Sequence, residues 1–168
     1  MKQATRMRSI AALGLALVLA ACSAHKAADA AAATKAAEAF MAANAKQPGV
    51  VTLPSGLEYK IVASGPADGA HPRASDEVKV NYEGKLTDGK VFDSSFARGE
   101  PADFPLDGLV PGWVEALQLM RPGDEWILYI PPKLGYGDED KGPIPAGSVL
   151  IFRVQLLGVL RHPQGAMG

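Results

Sequence analysis

Three scarcities narrow the functions open to this chain of 168 residues: cysteine, histidine and net positive charge. Cys22 stands alone, so neither a disulfide framework nor a cysteine-rich zinc site can form within one copy. His25, His71 and His162 are scattered without metal-ligand spacing. No metal and no cofactor is expected. Seventeen bases against eighteen acids leave a net charge of −1, with no basic stripe of the kind that holds a phosphate backbone. A nucleic-acid partner is therefore set aside. A Gly-x-Ser-x-Gly elbow is also missing, which removes the common serine-hydrolase plan.

What is present begins with an export pattern. Lys2, Arg6 and Arg8 precede an apolar run from Ile10 to Ala21, too short for a spanning helix of about 20 residues. The run closes on Leu19-Ala20-Ala21-Cys22, which resembles the bacterial lipobox. That likeness implies a signal peptide over 1–21 and lipidation of Cys22, with Ser23 matching the outer-membrane sorting pattern. An ordinary secreted protein whose cysteine happens to follow the cleavage site is the alternative. Acyl chains contribute about 0.8 kcal/mol per buried methylene, and stable anchoring takes more than one chain. A triacylated Cys22 meets that requirement. Without residues 1–21, fourteen bases face eighteen acids, a net of −4.

Residues 22–48 form an alanine-rich arm with Lys26, Asp29, Lys35, Glu38 and Lys46 spaced along it. Alanine has the best helix propensity, so a helix is expected over about 27–46, ended by Pro48-Gly49. Its large apolar residues are only Phe40 and Met41. So little bulky surface favours a spacer over a dimerisation arm, and a monomer over a dimer.

Beyond the arm the periodicity changes to two, marking a domain over 50–161 and a tail over 162–168. Leu57, Tyr59 and Ile61 alternate with Glu58, Lys60 and Val62. Val78, Val80, Tyr82, Gly84 and Leu86 alternate with Lys79, Asn81, Glu83 and Lys85, and Asp88-Gly89 suits a tight hairpin turn. Trp126, Leu128 and Ile130 mark a third strand, and Val149 to Leu160 a long fourth. One short helix fits, over Gly112–Met120, with Trp113, Ala116, Leu117 and Met120 on one side before Pro122-Gly123. The expected fold is α+β: a curved antiparallel half-barrel wrapped around one short helix and preceded by an alanine-rich helix. The segment 131–148 has four prolines and no periodicity, as functional loops often do. The aromatic segments together predict an apolar pocket with a single buried carboxylate, Asp93. Glu83, Lys85, Arg98 and Glu100 are expected on the solvated surface.

Val80-Asn81-Tyr82-Glu83-Gly84, Lys90-Val91-Phe92-Asp93-Ser94-Ser95, Gly112-Trp113, Gly135-Tyr136-Gly137, Ile144-Pro145 and Leu150-Ile151-Phe152 follow one another in a familiar order and spacing. Over about 50–161 the chain resembles the FK506-binding-protein (FKBP) type of peptidyl-prolyl isomerase. Ser55-Gly56-Leu57-Glu58-Tyr59-Lys60 and the lead-in before it are similar to the bacterial envelope branch related to the macrophage infectivity potentiator. The resemblance implies catalytic roles for Tyr82, Asp93 and Phe152. It implies substrate contacts from Phe92, Phe104, Leu109, Val110, Trp113, Tyr136 and Ile144. In this assignment Trp113 is the floor, Tyr136 reaches the ligand through its hydroxyl, and Ile144 donates its backbone N–H to a substrate carbonyl. Ala102 stands where well-known members carry phenylalanine, which lowers one wall.

The residue types suit that chemistry. A prolyl imide rotates over a barrier of roughly 18–20 kcal/mol, because resonance makes its C–N bond partly double. No bond breaks, so neither nucleophile nor metal is needed. A dry aromatic box disfavours the charge-separated planar imide relative to the twisted one, and each tenfold in rate takes about 1.4 kcal/mol of that preference. Asp93 either orients the twisted imide or accepts hydrogen bonds from Tyr82 and nearby backbone; left unpaired its burial would be costly. Partners implied are proline-containing exported polypeptides, FK506-like macrolides as inhibitors, and a membrane through the lipid anchor. A proline-binding holdase chaperone with little catalysis is the alternative, and a purely structural envelope lipoprotein a third.

Overall fold

The computed structural model describes residues 11–160, with side chains from residue 28 onward. Strand β3 (Glu77–Lys85) organises the domain. Its alternation places Val78, Val80, Tyr82 and Gly84 inward, as the pattern predicts. One edge of β3 pairs along its whole length with β7 (Leu150–Leu160), from Glu77↔Leu160 to Lys85↔Ile151. The other edge is shared. β5 (Ala102–Pro105) covers the first half through Val78↔Phe104, and β4 (Val91–Ser94) covers the far end through Gly84↔Asp93. With β1 (Val50–Thr52), β2 (Glu58–Ala63) and β6 (Glu125–Ile130), these make one seven-stranded antiparallel sheet in the order β1-β2-β6-β7-β3-β4.

Helix α3 (Pro111–Leu119) buries Trp113, Ala116 and Leu117, and Met120 follows as its C-cap. Proline at its first position matches a site whose N–H would have no partner inside the helix. Gly112 lets the helix lie tight on β6, since an added Cβ would sit 2.7 Å from Ile130 Cγ2. Leu57, Val78, Val80, Leu106, Leu128, Leu150 and Leu156 fill the remaining core, each with no solvent exposure. The expected α+β half-barrel is therefore the observed one. The hairpin turn at Asp88-Gly89 leads into β4 as expected, whereas the sequence reading missed the short strands β1 and β5 and also α2 (Ser95–Arg98), a second helix in the domain. Each of these is four residues or fewer, too short to carry a period.

Helix α1 (Ala11–Asn44) starts well before the expected position and ends two residues earlier. Its last turns do more than space. Ala37 is buried, the Phe40 ring lies 6.4 Å from that of Tyr129, and Asn44 Nδ2 donates to Glu58 Oε2 at 2.7 Å. Small residues allow this close approach: Ala33 packs against Gly147, where an added Cβ would come within 3.0 Å. Two expectations on β2 change as a result. Glu58, expected on the solvated face, is buried under α1, and Ile61, expected inward, is 48% exposed at the strand's outer end. Residues 1–10, the tail 162–168 and the side chain of Cys22 lie outside the described residues. Among those described, no helix is long and apolar enough to cross a membrane.

Candidate active site

Where β3, β4, β5, β7 and α3 converge, a cavity of about 450 Å³ opens. Every pocket residue expected from sequence lines it: Tyr82, Phe92, Asp93, Phe104, Leu109, Val110, Trp113, Tyr136, Ile144 and Phe152. Ala102 is not among the lining residues; it packs half-buried on β5 opposite Val80. Trp113, at the start of α3, is 4% exposed, and its indole stands nearly perpendicular to three rings. These are Phe152 at 5.2 Å and 87°, Tyr82 at 5.4 Å and 88°, and Phe104 at 6.2 Å and 88°. Phe92 meets Phe152 edge-on at 5.5 Å. Such edge-to-face pairs hold one another in orientation, each contributing about 0.5–1.5 kcal/mol beyond burial. Gly84 makes room for them, because a Cβ there would lie 2.5 Å from Phe152 and 2.6 Å from Phe92. Among the described residues the buried indole Nε1 of Trp113 has no hydrogen-bond partner.

The polar edge of the cavity is built from one stretch of chain. Asp93 is the penultimate residue of β4, and Ser94, its last, caps α2 by accepting from the Ala97 N–H at 3.2 Å. Ser95 Oγ, fully buried, accepts from the Tyr82 N–H at 2.8 Å and so ties α2 to β3. One turn later Arg98 comes back over Asp93. The Asp93 carboxylate accepts short hydrogen bonds from both the Tyr82 hydroxyl and Arg98, and Arg98 Nη2 donates to the Tyr82 oxygen at 3.0 Å. The guanidinium also lies 5.5 Å from the Tyr82 ring centroid. Partial burial pushes the Asp93 carboxyl up, but the bonds from Tyr82 and Arg98 outweigh it and hold the group below its ordinary value. Burial, then the bond to Asp93, pushes the Tyr82 hydroxyl up.

Three details correct or extend the sequence reading. Asp93 stands at the pocket edge, as the resemblance implies, but it is not buried, since its side chain is 43% exposed. Arg98 is 45% exposed, as expected, and in addition is the ion-pair partner of Asp93. The backbone N–H of Ile144, expected to serve substrate, already donates to the Lys141 carbonyl at 3.1 Å and closes a local turn. Val110 offers the alternative. Its carbonyl accepts from Trp113 and Val114, and among the described residues its own N–H has no partner. The Tyr136 hydroxyl is likewise without a protein partner among the described residues. No group of three histidine, cysteine or carboxylate side chains suited to a metal occurs among them either.

A family model described as FKBP-type peptidyl-prolyl cis-trans isomerase matches residues 69–157. The chain belongs to that family. A second model, described as the domain amino terminal to FKBP-type peptidyl-prolyl isomerase, matches residues 2–61. The chain is 50% identical over 125 residues to the FKBP-type isomerase FkpA of Aeromonas hydrophila, covering 74% of this chain and 46% of that protein. It is 48% identical over 123 residues to the outer membrane protein MIP of Legionella longbeachae, covering 73% of this chain and 52% of the relative. The crystal structure of FkpA from Escherichia coli superposes with a TM-score of 0.80 at 42% identity, over 90% of this chain and 70% of that one. The chain spans about half the length of the curated relatives it matches.

Within the FKBP frame, sequence reasoning missed Gly108 and Pro143, which also line the cavity, and above all Arg98. A signal did exist: a serine cap at position 94 starts a turn that returns the residue at 98 toward Asp93. A four-residue helix shows no period, so only the capping chemistry could have revealed it.

Proposed function

We propose that this chain is a peptidyl-prolyl cis-trans isomerase of the bacterial cell envelope, acting on X-Pro bonds of exported polypeptides. The observation that carries the proposal is the perpendicular packing of Tyr82, Phe104 and Phe152 around the Trp113 floor in a cavity with one carboxylate. A proline ring set on the indole brings its imide among apolar groups and leaves the resonance-stabilised planar form without the hydration it has in water. The twisted imide, with less charge separation, loses less on entering. Phe92 and Phe152 form the wall, and Leu109 and Val110 the strip before α3. The Val110 N–H and the Tyr136 hydroxyl hold the flanking carbonyls; Ile144 contributes its side chain. Asp93, kept ionised by Arg98, fixes the Tyr82 hydroxyl and presents a fixed negative edge to the imide. Proline-containing chains are the substrates in this reading, and FK506-like macrolides occupy the same cavity as inhibitors.

The envelope assignment rests on the N-terminal pattern: a signal peptide over 1–21, a lipidated Cys22 and anchoring in the outer membrane. A relative whose name is outer membrane protein MIP supports the compartment. The arm then spans 22–48 and the isomerase domain 50–161, as a monomer. Metabolic labelling with a palmitate analogue, comparing the wild type with Cys22→Ala, tests the anchor; equal labelling overturns it. The function is tested by a proline-peptide isomerisation assay with and without an FK506-like macrolide. Acceleration that the macrolide abolishes, and that Tyr82→Ala and Asp93→Leu reduce, is expected. If the wild type leaves isomerisation unaccelerated yet suppresses aggregation of an unfolded client, the holdase reading replaces this one.

A further inference from the structure

Behind the segment that carries Tyr136 lies a second groove, of about 580 Å³, between α1 and the sheet. It is within the roughly 300–1,000 Å³ of ligand-sized sites. Met41, Ala37, Pro131 and Pro132 give it an apolar wall, while its charged lining residues are Glu38, Glu58, Asp138 and Lys133, three acids to one base. Glu58 is the informative member. It is 3% exposed, Asn44 donates to its Oε2, and among the described residues its Oε1 has no donor. Burial pushes its carboxyl up, and the Asn44 bond offsets only part of this. A carboxylate so placed gains from a cation that reaches its free oxygen.

We propose that this groove is a second subsite for the polypeptide substrate and takes a lysine or arginine side chain flanking the isomerised proline. The proposal rests on the isomerase reading and adds a sequence preference to it. Charge complementarity selects a cation. The apolar wall suits the methylene stem of a long basic side chain, whose charged head then meets the carboxylates. Continuity selects a polypeptide over a small amine. Tyr136 lines the aromatic cavity, and Gly137 and Asp138, next in the chain, line the groove. A chain passing over that rib occupies both.

The test uses the full chain and a short proline peptide, alone and extended through alanine spacers to a terminal lysine or glutamine, at low and high salt. A fluorescent lysine peptide without proline reports binding directly. Wild type is expected to turn over the best-spaced lysine peptide with kcat/KM roughly tenfold above its glutamine twin, the worth of one charge-assisted contact. Glu58→Gln, which keeps the Asn44 bond, and Glu38→Gln on the exposed side should each reduce that ratio while leaving the short-peptide rate unchanged. Equal rates for lysine and glutamine at every spacing, with the short peptide turned over normally, overturn the subsite and spare the isomerase. A lysine preference that survives both substitutions places the cation elsewhere and also overturns it. If no peptide is turned over, the isomerase reading fails, and the proline-free probe decides the groove: binding lost in Glu58→Gln retains a cation site, and no binding ends it.

Discussion

Asp93 shows how a half-exposed acid is kept charged at the rim of an apolar cavity. Its carboxyl lies below the ordinary value of 3.8 in spite of partial burial, through its bonds with Tyr82 and Arg98. A lowered native value means that the ionised form favours the fold. That contribution is complete above the unfolded value and is lost as pH falls through the lowered native one. Because both partners are nearly half exposed, solvent screening keeps it under about 1 kcal/mol. Arg98→Ala should therefore lower the melting temperature only slightly at neutral pH. It should also move the Asp93 titration upward, read by carboxyl NMR between about pH 6 and pH 2. An unmoved titration would show that Tyr82 alone sets the charge. Gly84 makes the opposite kind of point, by what it omits. A methyl placed 2.5 Å from Phe152 forces the rings apart, so Gly84→Ala should cost about 1–3 kcal/mol in urea unfolding and lower kcat/KM for a proline peptide.

Among the elements, those with a clear period were legible before any coordinates. β3, β6, β7 and α3 each show an inward set that the sequence pattern names residue by residue. All ten expected pocket residues reach one cavity: those elements carry Tyr82, Trp113 and Phe152 and place Leu109 and Val110 just before α3, while β4, β5 and the 131–148 segment bring the rest. What escaped notice depends on partners distant in sequence. Glu58 sits in the polar phase of β2, and only α1, fourteen residues upstream, turns that position into an interior one. Arg98 needed a cap and a turn to find Asp93. The latch between α1 and β2 has a measurable consequence. Removing its donor leaves a buried carboxylate unsatisfied, so Asn44→Ala should cost about 1–3 kcal/mol in denaturant unfolding. Glu58 has a raised native value, so its ionised form disfavours the fold, and the penalty fades as pH falls through that value toward the ordinary 4.5. The Asn44→Ala loss should accordingly be larger at neutral pH than in mild acid. Glu58→Gln, which retains the hydrogen bond without the charge, should be as stable as the wild type or more so. A destabilised Glu58→Gln would mean that the charge itself is satisfied within the fold.

At the scale of the whole molecule, the hydrophobic core and the helix α1 are separable in kind. The core runs from Leu57 to Leu156 through β2, β3, β6, β7 and α3, and among the described residues none of α1 belongs to it. The helix is held instead by a few contacts at its end: Ala37, the Phe40–Tyr129 ring pair, the Asn44–Glu58 bond and the approach of Ala33 to Gly147. Such a docking is expected to add stability without being needed for folding. It also leans on the segment carrying Tyr136 and Ile144, through Gly147 on one side and the groove beside Asp138 on the other. Deleting residues 1–49 should thus leave a folded domain whose melting temperature falls by about 5–10 °C, the equivalent of one to two kcal/mol for a domain of this size. The shortened domain should still isomerise a short proline peptide, since every side chain lining the aromatic cavity lies beyond position 81. It should lose any preference for a flanking basic residue, because one wall of the second groove leaves with the helix. If the shortened domain instead binds macrolide normally but loses short-peptide activity, the helix acts on the rate through the Tyr136 segment, and docking of α1 is a requirement of catalysis itself.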